Sequence, residues 1–75
     1  MVEVKKGKYL HFKGMMVEVL DVAFHSETME EMVVYTHDDP VRGKDASTLW
    51  VRPKKMFLEN VIVDGKEVPR FRFVG

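Results

Sequence analysis

Polar and apolar residues alternate with period two along most of this chain, and helical periodicity is absent over any useful length. Gly7 and Gly14 bracket K-Y-L-H-F-K, which predicts a short strand closed by a turn. In M-M-V-E-V-L-D-V-A-F-H, Val17 and Val19 share one parity while Val22 and Phe24 continue on the other. That slip at Leu20-Asp21 predicts a bulge or sharp bend in a second strand, with Val22 and Phe24 inward and Ala23 and His25 outward. Met32 to His37, centred on Val33, Val34 and Tyr35, predicts a third strand rich in β-branched and aromatic residues. The polar stretch over 38–48 contains Pro40 and Gly43 and reads as the longest and most mobile loop. Leu49 to Arg52 predicts a fourth strand, stopped by Pro53, and K-K-M-F-L-E suits one helical or 3-10 turn.

The strongest local signal is V-I-V-D-G-K-E-V. Asp64-Gly65 between apolar runs predicts a two-residue type I′ hairpin, because both central positions require positive φ. Pro69 cannot donate to a ladder and marks a break, after which R-F-R-F alternates, with Phe71 and Phe73 opposite Arg70 and Arg72. The expected fold is all-β: five to seven short strands, one short helical turn, and closure into a small SH3-like barrel that removes exposed edges. In the first strand Leu10 and Phe12 oppose Tyr9 and His11, and in the fourth Leu49 and Val51 oppose Trp50 and Arg52, so either face could be the core.

Composition limits the size of that core. Seventy-five residues allow one domain, 1–75, burying roughly 60% of its unfolded surface, with a net stability on the order of 3–5 kcal/mol. The six methionines are expected to pack inside. With no cysteine there is neither a disulfide nor a thiolate metal site, which suits a reducing, cytoplasmic setting. The N-terminal Val-Glu-Val-Lys-Lys-Gly leads into no apolar stretch, so no signal peptide and no membrane contact are expected. Net charge is zero but unevenly spread. Residues 1–17 hold four lysines against one acid, residues 18–47 eight acids against two bases, and residues 48–75 six bases against three acids. If the chain ends meet, the domain has a basic and an acidic side. Zero net charge and the lack of any phosphate-cradling loop argue against nucleic acid as partner, without excluding it.

The ordered segments G-K-Y-L-H-F-K-G, A-F-H-S-E-T, V-V-Y, L-W-V-R-P, M-F-L-E and D-G-K-E-V-P-R-F resemble the bacterial family known as domain of unknown function 1653. The resemblance runs from Gly7 to Phe73. It implies a small β-rich bacterial domain and brings no established activity. The chain departs from the family pattern between Asp38 and Thr48, where a shorter segment containing aromatic residues and glycine is usual. Ligand contacts made through that loop are therefore not carried over.

Three groups of residues could carry chemistry. F-H-S-E-T (24–28) places a histidine, two hydroxyls and a carboxylate at a chain reversal. Ser26 and Thr28 are expected to bond local backbone, Thr28 with Glu31 having capping-box spacing, and His25 to be partly exposed. Covalent catalysis is disfavoured because adjacent strand residues point to opposite faces, so no catalytic residue is assigned. His11, His25 and His37 fall on different strands without short ligand spacing, so neither a metal nor another cofactor is expected. The third group is an aromatic and basic surface: Tyr9, His11, Trp50 and Arg52, with His25 and Glu27 added as ligand-binding candidates. Stacking and cation–π contact there suit a non-enzymatic module for a small ligand or a protein partner. Trp50 as plain core filling is the competing reading. The alternatives are an enzyme or enzyme accessory using His11 or His25 as an acid–base group, and a structural or oligomerisation domain. Oligomeric state is not readable from the sequence.

Overall fold

The computed structural model describes residues 3–39 and 43–75. Seven strands and one helical turn follow in order: β1 (Gly7–His11), β2 (Met16–Phe24), β3 (Glu31–Asp39), β4 (Gly43–Pro53), α1 (Lys54–Phe57), β5 (Asn60–Val63), β6 (Lys66–Pro69) and β7 (Phe71–Phe73). They form a five-stranded antiparallel sheet, ordered β4-β3-β2-β1-β7, and a separate β5–β6 hairpin. The all-β class, the strand number and the helical turn are those the periodicity predicts. The closed barrel is not formed: among the described residues no ladder joins β4 to β7, which remain the sheet edges.

Closure is instead approached through side chains. The Arg52 guanidinium on β4 lies 5.7 Å from the centre of the Phe71 ring on β7, although three strands separate them in the sheet. The sheet must therefore curl strongly. One cause is the slip at Leu20, where the β2–β3 register shifts between Val19 and Asp21. The extra residue bends the strand and increases its twist. A second cause is the last strand, which changes sheets. β6 pairs with β5 up to Asn60↔Pro69, the chain turns at Arg70, and β7 pairs with β1 from His11↔Phe71 onward. Arg70 serves both sides of this corner. Its N–H donates to the Glu59 carbonyl at 3.0 Å, and its own carbonyl accepts from Phe12 N–H at 2.9 Å.

Inside the curl the core comprises Tyr9, Val17, Val19, Val33, Tyr35 and Phe71, capped by Phe57 at 1% exposure. Phe57 stacks on Phe71 at 4.2 Å and meets Tyr9 and Tyr35 at 5.3 and 5.8 Å between ring centres. Pro53 starts α1 with ψ of 135°, as a residue just before a helical turn should. Lys54, paired with Glu31 at 3.3 Å, ties that turn to β3. Asp64 and Gly65 take φ of 51° and 77°, the positive pair a type I′ hairpin needs.

Three expectations require correction. The stretch 38–48 is mostly ladder rather than one loop. β3 reaches Asp39 and β4 resumes at Gly43, with His37↔Thr48 and Asp38↔Ser47 in register, because hairpin pairing overrides the low strand propensity of polar residues. Residues 40–42 lie outside the described ones. The described methionines are not core: Met15, Met16, Met29 and Met56 are exposed and Met32 half-buried, placed in turns, on the outward parity of strands or on the outer side of α1, while Met1 lies outside the described residues. Finally, Phe24 shares the inward parity of Val22 but is 64% exposed, because β2 outruns the core and leaves Phe24 opposite Glu31.

Candidate functional site: a basic-aromatic face inside the curled sheet

Cross-strand partners point to the same side of a sheet. Tyr35 faces Trp50, Val33 faces Arg52, and His11 faces Phe71, so Trp50, Arg52 and His11 lie on the core side of the sheet. α1 covers only part of that side. Beyond Phe57 the face stays open: Trp50 is 40% exposed, whereas Tyr35 beside it is buried. Trp50 is therefore not the core filler that its size suggests; Phe57 takes that place.

The open part gathers rings and positive charge. His11 stands edge-on to Phe71 at 4.9 Å, while Arg52 lies over the same ring. His37 stands edge-on to Trp50 at 6.2 Å. Burial holds the His11 imidazole below its ordinary 6.5, and the nearby charges of Arg52, Arg70, Lys13 and His37 push it the same way. His11 Nδ1 accepts the Lys13 N–H at 3.1 Å, so the neutral ring carries its proton on Nε2 and offers a donor there. Arg70 is paired with Glu59 at 3.0 Å, but its Nε is shielded and donates to no group among the described residues. Among the described residues no ion pair engages Arg52. A half-buried arginine beside a partly exposed indole forms a surface to which an anion with a flat face is complementary.

The sequence-level candidates divide into three. His11, Trp50 and Arg52 are brought to one face. Tyr9 shares that face but is buried in the core, its hydroxyl donating to the Lys5 carbonyl at 2.8 Å, and burial pushes the phenol above its ordinary value. His25 and Glu27 are exposed in the β2–β3 turn, at the far end of β2 from the His11 end of β1. Nine strand residues separate the two ends, roughly 25 Å of chain. His37, Arg70 and Phe71 were not singled out as ligand contacts, because only the strand register and the curl bring them to His11.

The β2–β3 turn has its own chemistry. His25 Nδ1 accepts the backbone N–H groups of Glu27 and Thr28 at 3.1 and 3.4 Å. Its main chain closes the reversal through Met29 N–H to His25 C=O and His25 N–H to Glu30 C=O, both 2.8 Å. Thr28 Oγ1 accepts from Glu30 N–H at 3.2 Å, a turn bond rather than a capping box. Ser26 donates to the Glu27 carboxylate at 2.7 Å and not to backbone. The imidazole is thus a part of the turn. Among the described residues no three His, Cys, Asp or Glu side chains converge as a metal cluster, and no helix is long and apolar enough to cross a membrane.

No curated protein matches the chain. A solved structure does: the crystal structure of a DUF1653 protein from Bordetella bronchiseptica aligns with a TM-score of 0.82 at 32% identity. The alignment covers 97% of this chain and 90% of that one. The family described as protein of unknown function DUF1653 matches residues 7–73, essentially every element that builds the curled sheet, its cap and its hairpin, and the chain belongs to that family.

Proposed function

We propose that the protein is a non-enzymatic binding module whose open inner face takes a small anionic ligand carrying a flat ring, of the nucleotide class. The observation that carries this reading is the Arg52 guanidinium: it lies on Phe71 without a carboxylate partner among the described residues, next to His11 and two residues along β4 from the exposed Trp50. A ring stacked against Trp50 would bring its anionic group to Arg52 and to the Nε2–H of His11. Acid–base catalysis by His11 is the weaker reading, since its Nδ1 lone pair is already engaged and the neutral tautomer presents a donor rather than a base. His25 is weaker still, because its acceptor nitrogen holds the turn. The lack of cysteine supports a cytoplasmic setting for this module, its likeness to a Bordetella protein supports a bacterial one, and zero net charge supports a small ligand over a nucleic-acid polymer.

The test is calorimetry with adenosine monophosphate, adenosine and inorganic phosphate. The monophosphate should bind at least tenfold more tightly than either fragment, and Arg52→Gln and Trp50→Ala should each weaken it at least tenfold while leaving the fold intact. No heat with any of the three, together with a dimer that forms as concentration rises, would instead make this a structural or oligomerisation domain.

A further inference from the structure

On the other side of β1 and β7, Leu10, Phe12 and Arg72 form one wall of a groove of about 520 Å³ whose second wall is the β5–β6 hairpin. The hairpin presents Val63, Lys66 and Val68 to the groove. The pairings Val61↔Val68 and Val63↔Lys66 put these residues on one hairpin face. That face is half-buried at Val61, Val63 and Val68, while Ile62 on the opposite face is 69% exposed. Leu10 and Phe12 across the groove are half-buried too. Apolar surface therefore lines both walls, yet among the described residues neither wall is covered.

The topology explains why the walls do not collapse together. They belong to different sheets, and the chain joins them at Pro69-Arg70, where the Arg70 backbone bonds to Glu59 and Phe12 fix the angle of the fork. The volume is within the range of about 300–1,000 Å³ typical of small-molecule sites. Two cations, Lys66 and Arg72, border it, against Asp64 as the single carboxylate of the lining. Arg72 is paired across the ladder with Leu10, so its charge and the apolar wall are adjacent.

We propose that this groove is a second binding site, for a small amphipathic carboxylate. The aliphatic chain packs between Leu10 and Phe12 on one wall and Val63 and Val68 on the other, and the carboxylate meets Arg72 and Lys66. Burial of the chain supplies the affinity and the two cations select the sign of the head group. His11 borders both this groove and the ring face, but Trp50 and Arg52 do not line the groove, so Trp50→Ala leaves this site intact.

Hexanoate, octanoate and decanoate titrated into the ¹⁵N-labelled protein test the proposal. Amide shifts should cluster at Leu10, Phe12, Val63 and Val68, and each two-carbon extension should lower Kd roughly tenfold. Arg72→Glu should weaken decanoate more than tenfold and favour decyltrimethylammonium, while circular dichroism stays that of the parent. Val68→Ser, at a half-buried hairpin position, should weaken both probes. A Kd independent of chain length would overturn the proposal, as would shifts confined to Trp50 and Arg52. So would sedimentation with phosphatidylglycerol vesicles in the absence of decanoate binding, which would make the groove a lipid-surface contact.

Discussion

The inner face of the sheet has two halves built from similar residues and put to different uses. In one, Tyr9, Tyr35 and Phe71 are sealed by a single side chain, Phe57, delivered by a four-residue helical turn. In the other, Trp50, His37, His11 and Arg52 continue the same rows of the sheet without a lid. Aromatic content does not separate the halves; cover does. A tryptophan left partly in water beside an arginine with no carboxylate partner among the described residues is the arrangement that a core avoids and a binding face needs.

The sharpest way to break this comparison is to remove the lid. Phe57→Ala should cost about 3–5 kcal/mol in urea unfolding, comparable with the stability of the whole domain, so the variant should be largely unfolded at room temperature. A loss below about 1 kcal/mol would mean that the covered half is not the core. Next in size is Gly7→Ala. Gly7 has φ of 135°, and a Cβ there would lie 3.1 Å from the Phe73 ring and 3.2 Å from the Gly75 carbonyl, so about 1–3 kcal/mol should be lost as β7 is pushed from β1. The same measurement on Trp50→Ala should show less than about 1 kcal/mol, since that side chain is partly in water already.

How much of this was legible in the sequence depends on the distance over which each signal acts. Asp64-Gly65, Pro53 and the parity slip at Leu20 are local signals, and each marks the feature it predicted. The parity of Tyr9, His11, Trp50 and Arg52 was equally legible, and these four do share a face. Which face is the core was not, because that depends on where α1 docks, and nothing near Tyr9 encodes the arrival of Phe57. The long β3–β4 ladder was hidden for a related reason: polar residues pair when a neighbouring strand already fixes their register. Strand parity points His25 outward beside a reversal, which marks it as a group free to bind, whereas its imidazole accepts two N–H groups of its own turn.

Smaller effects sharpen the picture further. His25→Ala leaves those two turn donors without their acceptor and should cost about 0.5–1.5 kcal/mol, more than an exposed side chain normally would, and should not alter monophosphate binding. The effect of acid separates the two halves by charge. His11 is held below 6.5 in the folded protein, so between that lowered value and about 6.5 the unfolded chain binds the extra proton. Stability should therefore fall as the pH drops below about 6.5 and level off once the folded imidazole is also protonated. His11→Gln should flatten this component of a thermal-melt pH series. A bound anion should reverse the bias and raise the imidazole pKa, so monophosphate affinity should increase as the pH falls toward 6.

The pairing of β1 with β7 also determines how the chain can be cut and joined. Val74 N–H bonds to the Lys8 carbonyl at 2.9 Å, and Gly7 stands against Phe73, so the chain enters and leaves the sheet at nearly the same point. Geometrically the domain is a loop of polypeptide with a narrow neck. A short glycine linker from residue 75 to residue 3 would span that neck, and new ends could be opened at Asp64-Gly65, where the turn is exposed. The same geometry lets the whole unit be spliced into a surface loop of another protein without prising its host apart.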